Sequence, residues 1–94
     1  MLNANTFFAG KARSIDFESG SIGNASIGVV KAGEYSIGTA QAQEMTIISG
    51  AVKVMLPGAN EWHVFMPGET FFVPAHSEFT FQTAESTSYF CRYK

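Results

Sequence analysis

Apolar and polar side chains alternate with a period of two along much of this chain. In AVKVML, residues 51–56, Val52, Val54 and Leu56 share one face while Lys53 takes the other. In EFTFQT, residues 78–83, Phe79 and Phe81 oppose Thr80 and Gln82. A strand sends successive side chains to opposite faces, so each run is expected to be a half-buried strand. The same logic, with enrichment in β-branched and aromatic residues, predicts strands at 14–17, 25–30, 34–40, 45–49, 61–66, 70–74 and 88–93. Gly20, Gly23, Gly28, Gly33, Gly38, Gly50, Pro57–Gly58, Pro67–Gly68 and Pro74 punctuate these runs. Pro57–Gly58 and Pro67–Gly68 mark turns on either side of the Trp62 strand. No stretch carries a 3.6-residue pattern of useful length. The expectation is an all-β sandwich, barrel or jelly roll with an aromatic-rich interior.

Bulk properties narrow this further. The 94 residues predict one domain, residues 1–94, with no linker or repeat to divide it. A chain of this size buries roughly 60–65% of its unfolded surface, a thin margin that association into a dimer would ease. Net charge is −2 and charged residues are 15%, which leaves no basic surface for nucleic acid. No apolar run approaches the roughly 20 residues of a membrane-spanning helix. The opening MLNANTFFAGKARS has no secretory apolar segment. The lone Cys91 excludes an internal disulfide framework and fits a reducing compartment, so a cytoplasmic protein is expected.

Two segments stand out together: GEYSIGTAQAQEMTIISG, residues 33–50, and PGETFFVPAHSEF, residues 67–79. Their order and spacing resemble the two cupin motifs, with Gly33, Gly50, Gly68 and Pro74 at the framework positions. The metal ligands of that pattern are replaced. Thr39 and Gln41 stand where His-x-His belongs, and Phe79 stands where the later His belongs. Glu44 falls one residue off the acidic position, and neither His63 nor His76 occupies a ligand position. Zinc and iron sites need imidazole, thiolate or carboxylate donors converging on one point. The resemblance therefore implies a single-domain cupin-like jelly-roll barrel with no bound metal.

A closer resemblance runs through nearly the whole chain. FFAGKARSI, GEYSIGTAQAQEMTIISGAVKVMLPG, the Trp of EWHVF, and VPAHSEFTFQ with SYFCRYK are similar to the pyrimidine/purine nucleoside phosphorylase family of small bacterial cupins. That resemblance implies phosphorolysis of purine and pyrimidine nucleosides to free base and ribose 1-phosphate. It implies phosphate as co-substrate, no other cofactor, and a cytoplasmic homodimer.

Such chemistry assigns candidate residues. Arg92, in the otherwise apolar SYFCRY, is the candidate for phosphate, because a guanidinium fork matches phosphate oxygens. Glu44 is the candidate to hold ribose or to stabilise positive charge at C1′, and His76 the candidate proton donor to base or phosphate. Thr39 and Gln41 share a face with Tyr35 and Ile37; if interior, Tyr35, Thr39 and Gln41 line the substrate site. Phe72, Phe79 and Phe81 are candidates for an apolar wall against the base, although each also reads as core. The face of Tyr89, Cys91 and Tyr93 is assigned to packing or a dimer contact, with Cys91 a buried small hydrophobe. Two other readings fit the same residues. One is a non-catalytic cupin module that binds a sugar or nucleotide; the other is a barrel that supports an interaction surface.

Overall fold

The computed structural model describes residues 2–94; Met1 of the expected 1–94 unit lies outside the described residues. The strands are β1 (Asn3–Phe7), β2 (Ala12–Ser19), β3 (Gly23–Val30), β4 (Gly33–Gly38) and β5 (Gln43–Ser49). They continue as β6 (Val52–Met55), β7 (His63–Phe65), β8 (Thr70–Val73), β9 (Glu78–Thr83) and β10 (Thr87–Tyr93). A single 3-10 turn, Phe8–Gly10, joins β1 to β2. Two sheets face each other: β1-β2-β3-β10-β5-β8 and β4-β9-β6-β7. Every strand pair is antiparallel. The all-β expectation holds, as two facing sheets that are not hydrogen-bonded into a closed barrel.

Alternation decides which side chains meet between the sheets. Val52 and Val54 of β6, Phe79 and Phe81 of β9, and Phe71 and Val73 of β8 all turn inward and are buried. With Ile47, Met45, Val30 and Tyr35 they form one core cluster. Phe71 meets Phe79 edge-on at 6.0 Å, and Phe79 stacks on Phe81 at 6.3 Å. Each such buried side chain contributes about 1.5–3 kcal/mol relative to exposure. The outward face of the six-stranded sheet carries apolar residues as well: Ile15, Ile27, Val29, Ile48 and Phe72 are exposed.

The β1 strand was not predicted from the sequence. Its residues, NANTF, are mostly polar and exposed and have no strict apolar alternation. Pairing alone makes it a strand, with Asn3 opposite Asp16 and Phe7 opposite Ala12. The core stops short of filling the space between the sheets at the β2-β3-β10 end, and that gap is the candidate site.

Candidate functional site

Register sets the layout of this gap. Ala12, Val30 and Thr87 stand level on β2, β3 and β10. Four residues along, roughly 13 Å, Asp16, Ser26, Cys91 and Met45 stand level on β2, β3, β10 and β5. Tyr93 and Gln43 pair beyond them. Between the sheets lies a cavity of about 200 Å3, walled at one end by Phe7, Phe8, Ala12, Val30 and Phe81 and towards the other by Ser26, Gln43, Cys91 and Tyr93. Tyr93 also lines an adjoining outer mouth of about 370 Å3, together with Asp16, Glu18, Asn24 and Gln41. The mouth falls within the roughly 300–1,000 Å3 of small-molecule sites, and the cavity lies just below that range. The wall changes from apolar to polar along its length.

Tyr89 enters this wall because β3 carries Gly28 opposite it. A β-carbon on Gly28 would fall inside the Tyr89 ring, so the bare backbone is what admits the ring there. At the polar end the Tyr93 and Ser26 hydroxyls hydrogen-bond at 3.1 Å. The Cys91 thiol points its weak donor at Gln43 Oε1, 3.7 Å away. Burial, followed by the field of Tyr93, pushes the Tyr89 phenol up to about 12. Burial likewise pushes the Cys91 thiol up to about 12, and raises the Tyr93 phenol. Asp16 adds to all of these shifts as a nearby negative charge. The wall therefore presents neutral O–H and S–H donors beside the Asp16 carboxylate, which accepts from Asn5 Nδ2 at 2.9 Å.

The residues singled out from sequence divide between this site and elsewhere. Phe81 lines the cavity and Gln41 lines the mouth. Tyr35 is buried behind the wall, its hydroxyl donating to the Lys31 carbonyl at 2.8 Å and its ring packed on Phe81. Thr39 is interior, but its hydroxyl donates to the Pro74 carbonyl at 2.7 Å and accepts from the Ser77 N–H at 3.0 Å. It ties down the turn after β8 rather than facing substrate space. Phe79 is 1% exposed and belongs to the core. Phe72 corrects the aromatic-wall expectation: its parity on β8 is opposite to Phe71 and Val73, and it is 64% exposed on the outer face.

Glu44 and Arg92 pair in register across β5 and β10, on the side of the sheet opposite the inward Met45 and Cys91. Arg92 Nη1 lies 3.4 Å from Glu44 Oε2, and Lys94 Nζ lies 3.3 Å from Glu44 Oε1. Glu44 thus answers two cations and does not line the cavity. His76 is exposed, in the turn, with φ 54. It is not brought together with Glu44. Among the described residues no three His, Cys, Asp or Glu side chains converge as a metal cluster.

Asp16, Ser26, Gln43 and Phe8 were not singled out from the sequence. Asp16 left a signal: a carboxylate inside the strand SIDF, two residues on from Ser14, so its parity is inward if that of Ser14 is. Tyr89 and Tyr93 were assigned to packing or a dimer contact; they do pack against the core, and they also form the cavity wall.

The chain matches the pyrimidine/purine nucleoside phosphorylase family model over residues 2–93. It belongs to that family. A relative from Pectobacterium atrosepticum, named pyrimidine/purine nucleoside phosphorylase, is 63% identical over 93 residues, covering 99% of both chains. The crystal structure of a Vibrio parahaemolyticus protein of unknown function superposes with a TM-score of 0.94 at 35% identity, covering 100% of this chain and 99% of that one. An RmlC-like cupin from Shewanella frigidimarina superposes at 0.72 with 16% identity, over 98% of this chain and 82% of that one. The last likeness establishes the cupin fold, and the first places this phosphorylase-family chain among close relatives.

Proposed function

We propose that this chain is a phosphorylase of purine and pyrimidine nucleosides. The observation that carries the reading is the cavity whose wall turns from apolar to polar towards the Asp16 carboxylate. A nucleoside has the same gradient, from a flat base to a hydroxylated sugar. With the base at the Phe8–Phe81 end, the ribose falls among Ser26, Gln43 and Tyr93. Asp16 then stands beside C1′, where positive charge grows as the C1′–N bond breaks. Hydrogen phosphate attacks C1′ from the mouth, a C1′–O bond forms, and its proton finishes on the departing base. The neutral Tyr89 hydroxyl is a donor for the charge that builds on that base. Phosphate is the co-substrate, and the reading uses no further cofactor.

Among the described residues no lysine or arginine lines the cavity or its mouth. Arg92 and Lys94 flank Tyr93 at the strand end beside the mouth, and Arg92 Nε is buried with no acceptor. Arg92 is accordingly our candidate for the phosphate cation, drawn from Glu44 when the dianion enters. Residues 1–94 act as one cytoplasmic domain, and two copies associate as a homodimer.

The test is base release from uridine and inosine, with and without phosphate. Release only with phosphate, falling about 10²–10³-fold in kcat for Asp16→Asn, is the expected result. Release without phosphate makes the protein a hydrolase. Binding without turnover makes it a nucleoside-binding module and overturns the proposal.

A further inference from the structure

The segment between β1 and β2 has a backbone that its sequence does not favour. Phe8 (φ 53), Ala9 (φ 56) and Gly10 (φ 88) are consecutive left-handed residues, and only the last is glycine. A bulky side chain at positive φ is a true outlier, held at a cost of about 1–3 kcal/mol by its surroundings. The surroundings here are specific. The Lys11 N–H donates to the Phe8 carbonyl at 3.2 Å and closes the turn. The Phe8 ring lies 4.7 Å from the Tyr35 ring, and Tyr35 is itself fixed by its hydroxyl on Lys31 and by Phe81 at 5.3 Å. Phe8 is 39% exposed, unlike the buried Tyr35 and Phe81 beneath it, and Phe7, 47% exposed, flanks it at 6.5 Å. It lines the apolar end of the cavity.

Resting on the function proposed above, we infer that Phe8 is the platform for the nucleobase and the residue that sets purine against pyrimidine preference. The left-handed turn aims the ring, and Tyr35 backs it so that it does not rotate away. Every base has a π-face, so a ring platform accepts purines and pyrimidines alike. It discriminates by overlap area, and the larger purine gains more from it. Apart from the Ser14 and Tyr89 hydroxyls, the side chains near this end are apolar, consistent with breadth.

The experiment compares wild type with Phe8→Leu and Phe8→Ala, using inosine and uridine as substrates at saturating phosphate. KM for inosine is expected to rise about tenfold or more, and by a larger factor than KM for uridine, with kcat and the KM for phosphate within a few-fold. Urea midpoints of the variants separate loss of the platform from loss of the fold. Phe8→Leu keeps an apolar body in the turn should Phe8→Ala unfold. Equal KM changes for the two nucleosides, or a fall in kcat at constant KM, would overturn the platform. Inosine binding is measured by calorimetry in parallel. A wild type that binds without turnover fails the phosphorylase reading alone, and the platform is then judged by the variants' binding ratio. A wild type that neither binds nor turns over fails both.

Discussion

A β-carbon on Gly28 would occupy the space taken by the Tyr89 ring, whose register partner it is. Gly28→Ala must push Tyr89 out of the cavity wall or bend β3 away from β10. Overpacking of this kind costs about 1–3 kcal/mol, so the urea midpoint is expected to fall and phosphorolysis with it. Gly28→Ser should do the same, while the reverse truncation Tyr89→Phe should keep stability near wild type and lose only a donor. Cys91 bears on pH. Its folded-state thiol is raised to about 12 from an ordinary value of 9.0, chiefly by burial. A raised acid holds its proton longer in the folded than in the unfolded chain. Its contribution is therefore complete below pH 9 and is lost as pH climbs towards 12, and Tyr89 adds the same slope from pH 10 upward. Urea titrations at pH 7, 9 and 10.5 should show falling stability, with a shallower fall in Cys91→Ala. At neutral pH the buried thiol should resist thiol reagents until the protein unfolds. A constant midpoint across this range would contradict the burial of both groups. At this scale the sequence said that Gly28 interrupts a strand. It did not say which ring needs the room, because that ring is on β10, distant in sequence.

Thr39, expected from the sequence to line the substrate site if interior, serves a turn instead. Its hydroxyl joins the end of β4 to the turn between β8 and β9, through the Pro74 carbonyl and the Ser77 N–H and carbonyl. Replacement by the near-isosteric Val leaves those turn groups without their partner, at a cost of about 1–3 kcal/mol. Thr39→Val should lower the unfolding free energy from urea titration by that amount while leaving KM for nucleoside close to wild type. A KM effect as large as the stability effect would return Thr39 to the substrate site. The strands that alternate strongly were legible: β6 and β9 follow AVKVML and EFTFQT as read. Elements without alternation were not. The β1 strand is polar and edge-placed, and β7 shrinks to His63–Phe65 from the broader apolar run 61–66. The turn Phe8–Gly10 was invisible because local propensity argues against a left-handed phenylalanine. The candidate site was legible only in part for a related reason. Parity within β10 grouped Tyr89, Cys91 and Tyr93 on one face and Arg92 on the other, but the sign of the face depends on which sheet covers it.

Between the two sheets the molecule has its core and its cavity; outside the six-stranded sheet it has a second apolar surface. Ile15 and Ile27 are register partners on β2 and β3, and Val29 follows two residues on from Ile27. All are about half exposed and line a concave face with Ala4 and Phe17. Contiguous apolar surface on a small soluble domain marks a contact. A two-fold dimer is the simplest occupant, since such an interface uses one patch on both copies. A charge placed there is buried once on each copy, so a single substitution acts twice. Ile27→Glu should convert a dimer to a monomer in sedimentation at micromolar concentration, with an unchanged far-ultraviolet spectrum. A wild type that sediments as a monomer, or an Ile27→Glu variant that remains dimeric, would remove this face as the interface. The same variant also locates the phosphate cation. The nucleoside cavity is built from one chain, so a monomer with wild-type kcat and phosphate KM would put the cation in that chain, and Arg92→Ala should then raise the phosphate KM. A monomer whose phosphate KM rises steeply while its nucleoside KM holds would mean that the second copy supplies it.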